Sequence, residues 1–219
     1  MPGQLKLHRG VRHQPRHGDR HGNWPSRWRR GTEAAVERGP LVTIRPATVR
    51  DYPAVAELTY RAYVESGHVA ASDPYAAQLT DIEARAAQLF VADVDGQIAG
   101  SVNIATPGSS LIEVANGNEL EFRMLAVHPD YQGQGIGRAL VEFVLDYARK
   151  NDLSQVVMTT MASMTTAQAM YTSLGFQRAP DRDWNLYTAG IVDYEQGLET
   201  FFVYVHPLNL GHLVKENHG

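Results

Sequence analysis

Six consecutive residues, Gln132-Gly133-Gln134-Gly135-Ile136-Gly137, restrict this chain more tightly than any other segment. Before them, residues 119–127 alternate as a strand does. After them, Leu140, Val141, Val144, Leu145 and Ala148 recur at helical spacing within residues 135–150. A strand must hand over to a helix within this turn. The first turn of a helix carries N–H groups with no intrahelical partner, and the helix dipole adds partial positive charge there. Glycine lets the main chain approach an anion closely and adopt positive φ. Such a junction suits a pyrophosphate. It lacks the Lys-Ser/Thr ending of a nucleotide P-loop, and its glycine spacing is not that of the dinucleotide fingerprint.

The remaining sequence does little to attract an anion from a distance. Residues 1–40 hold nine basic and three acidic side chains, a balance of +6, whereas the remainder holds eleven and twenty-one, a balance of −10. An anionic ligand must be held by local donors. Residues 1–40 are rich in Arg, His, Gly, Pro and Trp without apolar periodicity and read as a disordered basic extension. Residues 41–207 read as one folded domain and 208–219 as a tail. His8, His13, His17 and His21 lack carboxylate or cysteine partners at defined spacing, so no metal is expected. Cysteine is absent, which excludes disulfides, thiolate zinc sites and a cysteine nucleophile and is compatible with a cytoplasmic location. No window reaches the roughly 18–20 apolar residues of a bilayer span, so no membrane partner is expected.

Along the domain, residues 41–45 read as a short strand, followed by a helix from about Asp51 that carries Val55, Leu58, Ala62 and Tyr63. Residues 76–88 read as a second helix. Residues 89–94 and 98–105 read as a hairpin closed by Asp95-Gly96. Strict alternation over residues 119–127 puts Glu121, Arg123, Leu125 and Val127 on one face and Leu120, Phe122, Met124 and Ala126 on the other. Residues 155–161 read as a strand, 165–174 as a helix stopped by Gly175, and 201–205 as a last strand. The order is mixed α/β in a single domain.

Gln132, Gly135 and Gly137, with Leu125-Ala126-Val127-His128-Pro129-Asp130-Tyr131 before them and Arg138-Ala139-Leu140 after, resemble the central motif of the GCN5-related N-acetyltransferase family. Ala167-Gln168-Ala169-Met170-Tyr171-Thr172-Ser173-Leu174-Gly175-Phe176 is similar to the family's later helix, and the likeness runs from about Val42 to about Val205. The resemblance implies a mixed, mostly antiparallel twisted sheet with helices on both faces and a splayed central strand pair. It implies acetyl-coenzyme A as acyl donor, its pantetheine arm along Leu125, Ala126 and Val127. The pyrophosphate would lie on N–H groups from Gln132 through Gly133, Gln134, Gly135, Ile136 and Gly137 to Arg138, with Ala167 and Met170 beside the cofactor.

By the same resemblance Tyr171 stands at the family's general acid, and a phenol with an ordinary pKa near ~10 is protonated at neutrality. Glu121, six residues before Val127, matches the catalytic glutamate of histone-acetylating relatives; its alternatives are a surface pairing with Arg123 or binding of the substrate ammonium without catalysis. Met164 departs from an asparagine common in the family. His128 reads as a turn residue. With neither a cysteine nor a Ser-His-Asp arrangement, the acyl group should pass directly to an amine in a ternary complex. The acceptor could be a small molecule, peptide or protein, met near residues 65–75 and 189–199, where Asp193, Glu195 and Glu199 would favour a cation. A homodimer is compatible with the sequence. Two competing readings are a non-catalytic acyl-CoA sensor and a nucleic-acid-associated protein using the basic arm; the −10 body argues against the latter.

Overall fold

A computed structural model describes residues 5–7, 42–186, 188–191 and 199–208. The extension and tail expected at 1–40 and 208–219 fall outside the described residues, apart from Leu5–Leu7 and Leu208. In chain order the elements are β1 (Leu5–Leu7), β2 (Val42–Pro46), α1 (Tyr52–Tyr60), α2 (Pro74–Thr80), β3 (Leu89–Val94), β4 (Gln97–Ala105), β5 (Glu119–Val127), α3 (Ile136–Lys150), β6 (Gln155–Met161), α4 (Thr165–Ser173), β7 (Gln177–Arg178) and β8 (Phe201–Pro207). The strands form one sheet in the order β1-β2-β3-β4-β5-β6-β8-β7. Every neighbouring pair is antiparallel except β5 and β6.

The β3–β4 hairpin turns at Asp95 (φ 51°) and Gly96 (φ 85°). Two left-handed central residues match the right-handed twist of the flanking strands. Strand β3 then shows how the sheet is covered. Phe90, Ala92 and Val94 pack into the main core with α3, whereas Leu89 and Val91 pack on the other face with Val55 of α1. Helices therefore cover both faces. Eight residues of α3 are buried, from Ile136 to Ala148, and its Leu140 is fully enclosed. A leucine so placed contributes roughly 2–5 kcal/mol relative to alanine, which holds the start of α3 firmly against the sheet.

The stretch expected as one helix over residues 76–88 is divided. Helix α2 begins on Asp73, whose side chain accepts the Tyr75 N–H at 2.8 Å, and ends before Asp81; a 3₁₀ segment, Glu83–Gln88, follows. The break turns Arg85 inward. Its guanidinium donates to Asn103 of β4, to Thr59 of α1 and to the Leu79 carbonyl near the end of α2. A buried polar network thus overrides helix propensity. Burial lowers the Arg85 pKa to about 10, which leaves it charged at neutrality.

Strand β5 also departs from simple alternation. Ser101 pairs with Ala126 and Asn103 with Arg123, so one residue of β4 faces two of β5, and Met124 takes φ 51°. This bulge reverses the side-chain parity beyond it. Leu125 and Val127 join the α3 core with Leu120 and Phe122, while Met124 packs on the opposite face with Val69, Ala76, Leu79 and Met161. The two-face assignment from alternation is corrected accordingly.

Candidate active site

The bulge lies where β5 leaves its neighbour. Strands β5 and β6 pair only at Glu119 with Gln155, Leu120 with Val156 and Glu121 with Val157. Beyond those pairs the strands run on to Val127 and Met161 without a shared ladder, and the gap opens into a cleft of about 570 Å³. Bulges increase local twist, and here the twist coincides with the parting of the strands. Tyr63 holds the bulge from the α1 side by donating its hydroxyl to the Leu125 carbonyl at 3.1 Å. It lies in a π-helical turn, Arg61–Glu65, that extends α1 and re-aims its side chains toward the cleft. Burial raises the Tyr63 pKa well above the ordinary phenol value, so it remains a donor.

One end of the cleft is the glycine-rich turn. Gly133 (φ 72°) and Gly135 (φ 85°) are both left-handed, and Gly135 caps α3 with no side chain satisfying the first-turn N–H groups. A Cβ built on either glycine would meet nothing within 4 Å, so open space lies in front of this backbone. Gln132, Gly133, Gly135, Ile136, Gly137 and Arg138 line the cleft. Gln134 is absent from the lining; its amide donates to the Asp130 carbonyl at 2.9 Å and braces the turn. Arg138 donates to Ser173 of α4 at 2.8 Å, tying α3 to α4 across the mouth. His128 caps the preceding turn by accepting the Asp130 N–H, and its other ring nitrogen lies 3.1 Å from Arg61.

The two walls are β5, through Leu125, Ala126 and Val127, and α4, through Ala167, Met170 and Tyr171. Met164, which stands where many relatives carry asparagine, also lines the cleft, followed by Thr165 and Thr166. Tyr171 is packed among Phe122, Phe176 and Tyr204, with ring centroids 5.8–6.4 Å apart. Burial raises its pKa above the ordinary value, so the phenol keeps its proton through the neutral range.

Glu121 is placed differently from the other candidates. It is fully buried and does not line the cleft. Its Oε2 accepts three backbone N–H groups, those of Glu113, Val114 and Ala115, at 2.9–3.0 Å. Its other oxygen is 4.0 Å from Arg123 Nε, so the Arg123 alternative is present as a loose pairing. Arg123 in turn donates to the Leu111 carbonyl and pairs with Glu113, whose pKa burial pushes up. Glu121 is thus an anchor for the loop over residues 113–115. No local sequence signal marks it as one, because its donors become neighbours only when the loop folds back over β5.

Nothing in the sequence marked Tyr63 or Arg85 as supports of this site either, since the partners of Tyr63 and Arg85 lie up to 62 residues away. Asp193 and Glu195, read as favouring a cationic acceptor, lie outside the described residues; Glu199 is described but exposed. Among the described residues lining the cleft there is no carboxylate. Among the described residues, no helix is long and apolar enough to cross a membrane.

Comparison with known proteins places this geometry. Residues 52–176 match the model of the acetyltransferase (GNAT) family. The chain is 39% identical over 94 residues to the mycothiol acetyltransferase of Cellulomonas flavigena, covering 42% of this chain and 27% of that protein. It is 45% identical over 58 residues to the [ribosomal protein bS18]-alanine N-acetyltransferase of Escherichia coli, covering 26% and 39%. The matched segments therefore span well under half the length of these curated relatives. In fold, the chain resembles a Salmonella typhimurium protein solved with its cofactor acetyl-CoA, at TM-score 0.55 and 22% identity, covering 80% of this chain and 98% of that one.

Proposed function

This chain belongs to the acetyltransferase (GNAT) family, and from that premise we propose that it transfers an acetyl group from acetyl-CoA to an amine by direct attack in a ternary complex. The observation that carries the reading is the meeting, in one cleft, of an uncapped helix N-terminus with the unpaired inner edges of β5 and β6. The first binds anionic phosphate and the second offers backbone to an extended amide-containing arm. The open space before Gly133 and Gly135 fits a pyrophosphate, and the parted strands fit pantetheine.

Residues 132–138 would hold the pyrophosphate, with Gln134 as a brace, and Leu125, Ala126 and Val127 the pantetheine, with Ala167 and Met170 packed against it. When bound, acetyl-CoA supplies the activated acyl group as a thioester. A backbone N–H near Val127 would face the negative charge that develops on the carbonyl oxygen. Tyr171, kept protonated by burial, would donate to the departing sulfur. Glu121 fixes the loop beside Arg123 and takes no part in proton transfer in this scheme.

The test is release of free thiol from acetyl-CoA over a panel of amines. The name of one relative makes a peptide with an N-terminal alanine the first to try. Tyr171→Phe should lower kcat by roughly 10²-fold with acetyl-CoA affinity nearly unchanged. An unchanged kcat would remove Tyr171 from the role. Tight acetyl-CoA binding by the wild type without thiol release for any amine would favour the sensor reading.

A further inference from the structure

We infer that His68 is the proton acceptor for the attacking amine, an assignment that rests on the acetyltransferase reading above. An alkylamine reaches the site mostly as ammonium, and its nitrogen has no lone pair to attack with until a proton leaves. The titratable and charged side chains lining the cleft are Tyr63 in the turn after α1, His68 in the α1–α2 loop, Arg123 on β5, Tyr131 and Arg138 around the glycine turn, and Tyr171 on α4. The lining carries no carboxylate among the described residues, and Glu121 is buried away from it. Arginine and a protonated phenol do not take a proton near neutrality, and imidazole is the side chain that does.

The placement of His68 is as specific as its chemistry. The next residue, Val69, is buried in one cluster with Met124 of β5 and Met161 of β6, and its N–H donates to the Tyr63 carbonyl at 2.9 Å. Tyr63 in turn holds the Leu125 carbonyl in the bulge. On the other side, His68 Nδ1 lies 3.1 Å from Ser163 Oγ, in the connection between β6 and α4. The imidazole therefore lines the cleft beside Ser163, next to a residue packed on the face of the sheet opposite α3. Ser163 fixes one ring nitrogen, and Nε2 has no protein partner among the described residues. That nitrogen is free to meet an incoming ammonium directly or through one water.

The proton count closes. His68 Nε2 takes one proton from R–NH₃⁺ and passes it to solvent. The freed nitrogen lone pair forms the C–N bond as the C–S bond breaks, and the sulfur leaves with the bonding pair and takes the Tyr171 proton. The second proton lost by nitrogen restores Tyr171 through water. The net products are the N-acetyl amine, the free thiol and one H⁺.

The experiment compares wild type, His68→Ala and Ser163→Ala for thiol release as a function of pH, with acetyl-CoA binding measured alongside. His68→Ala should lose roughly 10²-fold in kcat/KM for the amine at neutral pH. Its acetyl-CoA affinity should stay within about two-fold, the deficit should shrink as pH approaches the amine's own pKa, and added imidazole should restore part of the rate. Ser163→Ala keeps the imidazole and should lose far less. An unchanged rate and pH profile in His68→Ala would overturn the assignment. So would a pH-independent loss that imidazole does not rescue. If the wild type binds acetyl-CoA yet releases no thiol with any amine, the acetyltransferase reading itself fails, and this assignment with it.

Discussion

Gly135→Glu should weaken acetyl-CoA binding by roughly 10²-fold or more while leaving the protein folded. Gly135 is the residue at which the chain turns into α3, with φ 85°, a conformation that costs an L-residue roughly 1–2 kcal/mol. No atom lies within 4 Å of an added Cβ, so the substitution meets strain but no clash, and the buried face of α3 keeps the helix in place. The effect on ligand is larger. The new side chain projects from the backbone that should face the phosphates, and its carboxylate sets negative charge against negative charge at a helix N-terminus. Titration calorimetry with acetyl-CoA reads this directly, and Gly135→Asn, which tolerates the left-handed region and adds no charge, should lose much less. Retained affinity in Gly135→Glu would overturn the assignment of residues 132–138 to the pyrophosphate.

Glu121→Ala is expected to destabilise the fold by about 3–5 kcal/mol, the cost of removing a buried charged partner from groups that depend on it. Three N–H groups on residues 113–115 lose their acceptor at once, and Arg123 is left with Glu113 as its carboxylate neighbour. For a domain of this size that corresponds to a fall of about 10 °C in Tm, read by thermal denaturation. Glu121→Gln separates an anchor from a base. It preserves shape and one acceptor oxygen but removes the charge that strengthens each bond, so an anchor should show an intermediate loss of stability with turnover per folded molecule little changed. Full stability combined with a large loss of turnover and a shifted pH profile would make Glu121 the base and defeat the structural account.

Both predictions start from residues that the sequence singled out, yet they differ in how far the sequence reached. The glycine turn was legible in function as well as in position, because its requirements are local: left-handed φ, absent side chains and a helix beginning at once. Glu121 was legible as an acidic residue on a strand and, by resemblance, as a candidate base, but its partners were not. Whether its carboxylate faces an amine or a loop depends on where residues 113–115 lie, and they reach it only by folding back over β5. Met124 illustrates the same limit. Its neighbours predict an unbroken alternation, but the register imposed by β4 inserts an extra residue there, and every side chain beyond it changes face. A one-residue shift of that kind is invisible to periodicity, since both readings satisfy a half-buried strand.

Arg85 and Tyr63 show why a site's supports are harder to read than its motif. Arg85 sits in a segment whose propensity is helical, and the helix is broken so that its guanidinium can satisfy Asn103, Thr59 and the Leu79 carbonyl together. Tyr63 has an apolar helical context and becomes a support only because a π-helical turn aims it at Leu125. In each case the deciding energy is the penalty for leaving a buried polar group unpaired, and that penalty exists only once distant segments are packed together.

The sequence by itself determined the elements whose causes are adjacent residues: the Asp95-Gly96 hairpin, the bounds of β5 and β6, the start of α3 at the glycine turn, and the family to which those motifs point. The tertiary structure decided how far β5 and β6 part, which face Leu125 and Val127 present, that Glu121 anchors a loop, and that His68 lines the cleft beside Ser163. The division has one physical reason. Backbone conformation is set mainly by neighbours along the chain, whereas the direction and partner of a buried polar side chain are set by contacts between segments far apart in sequence.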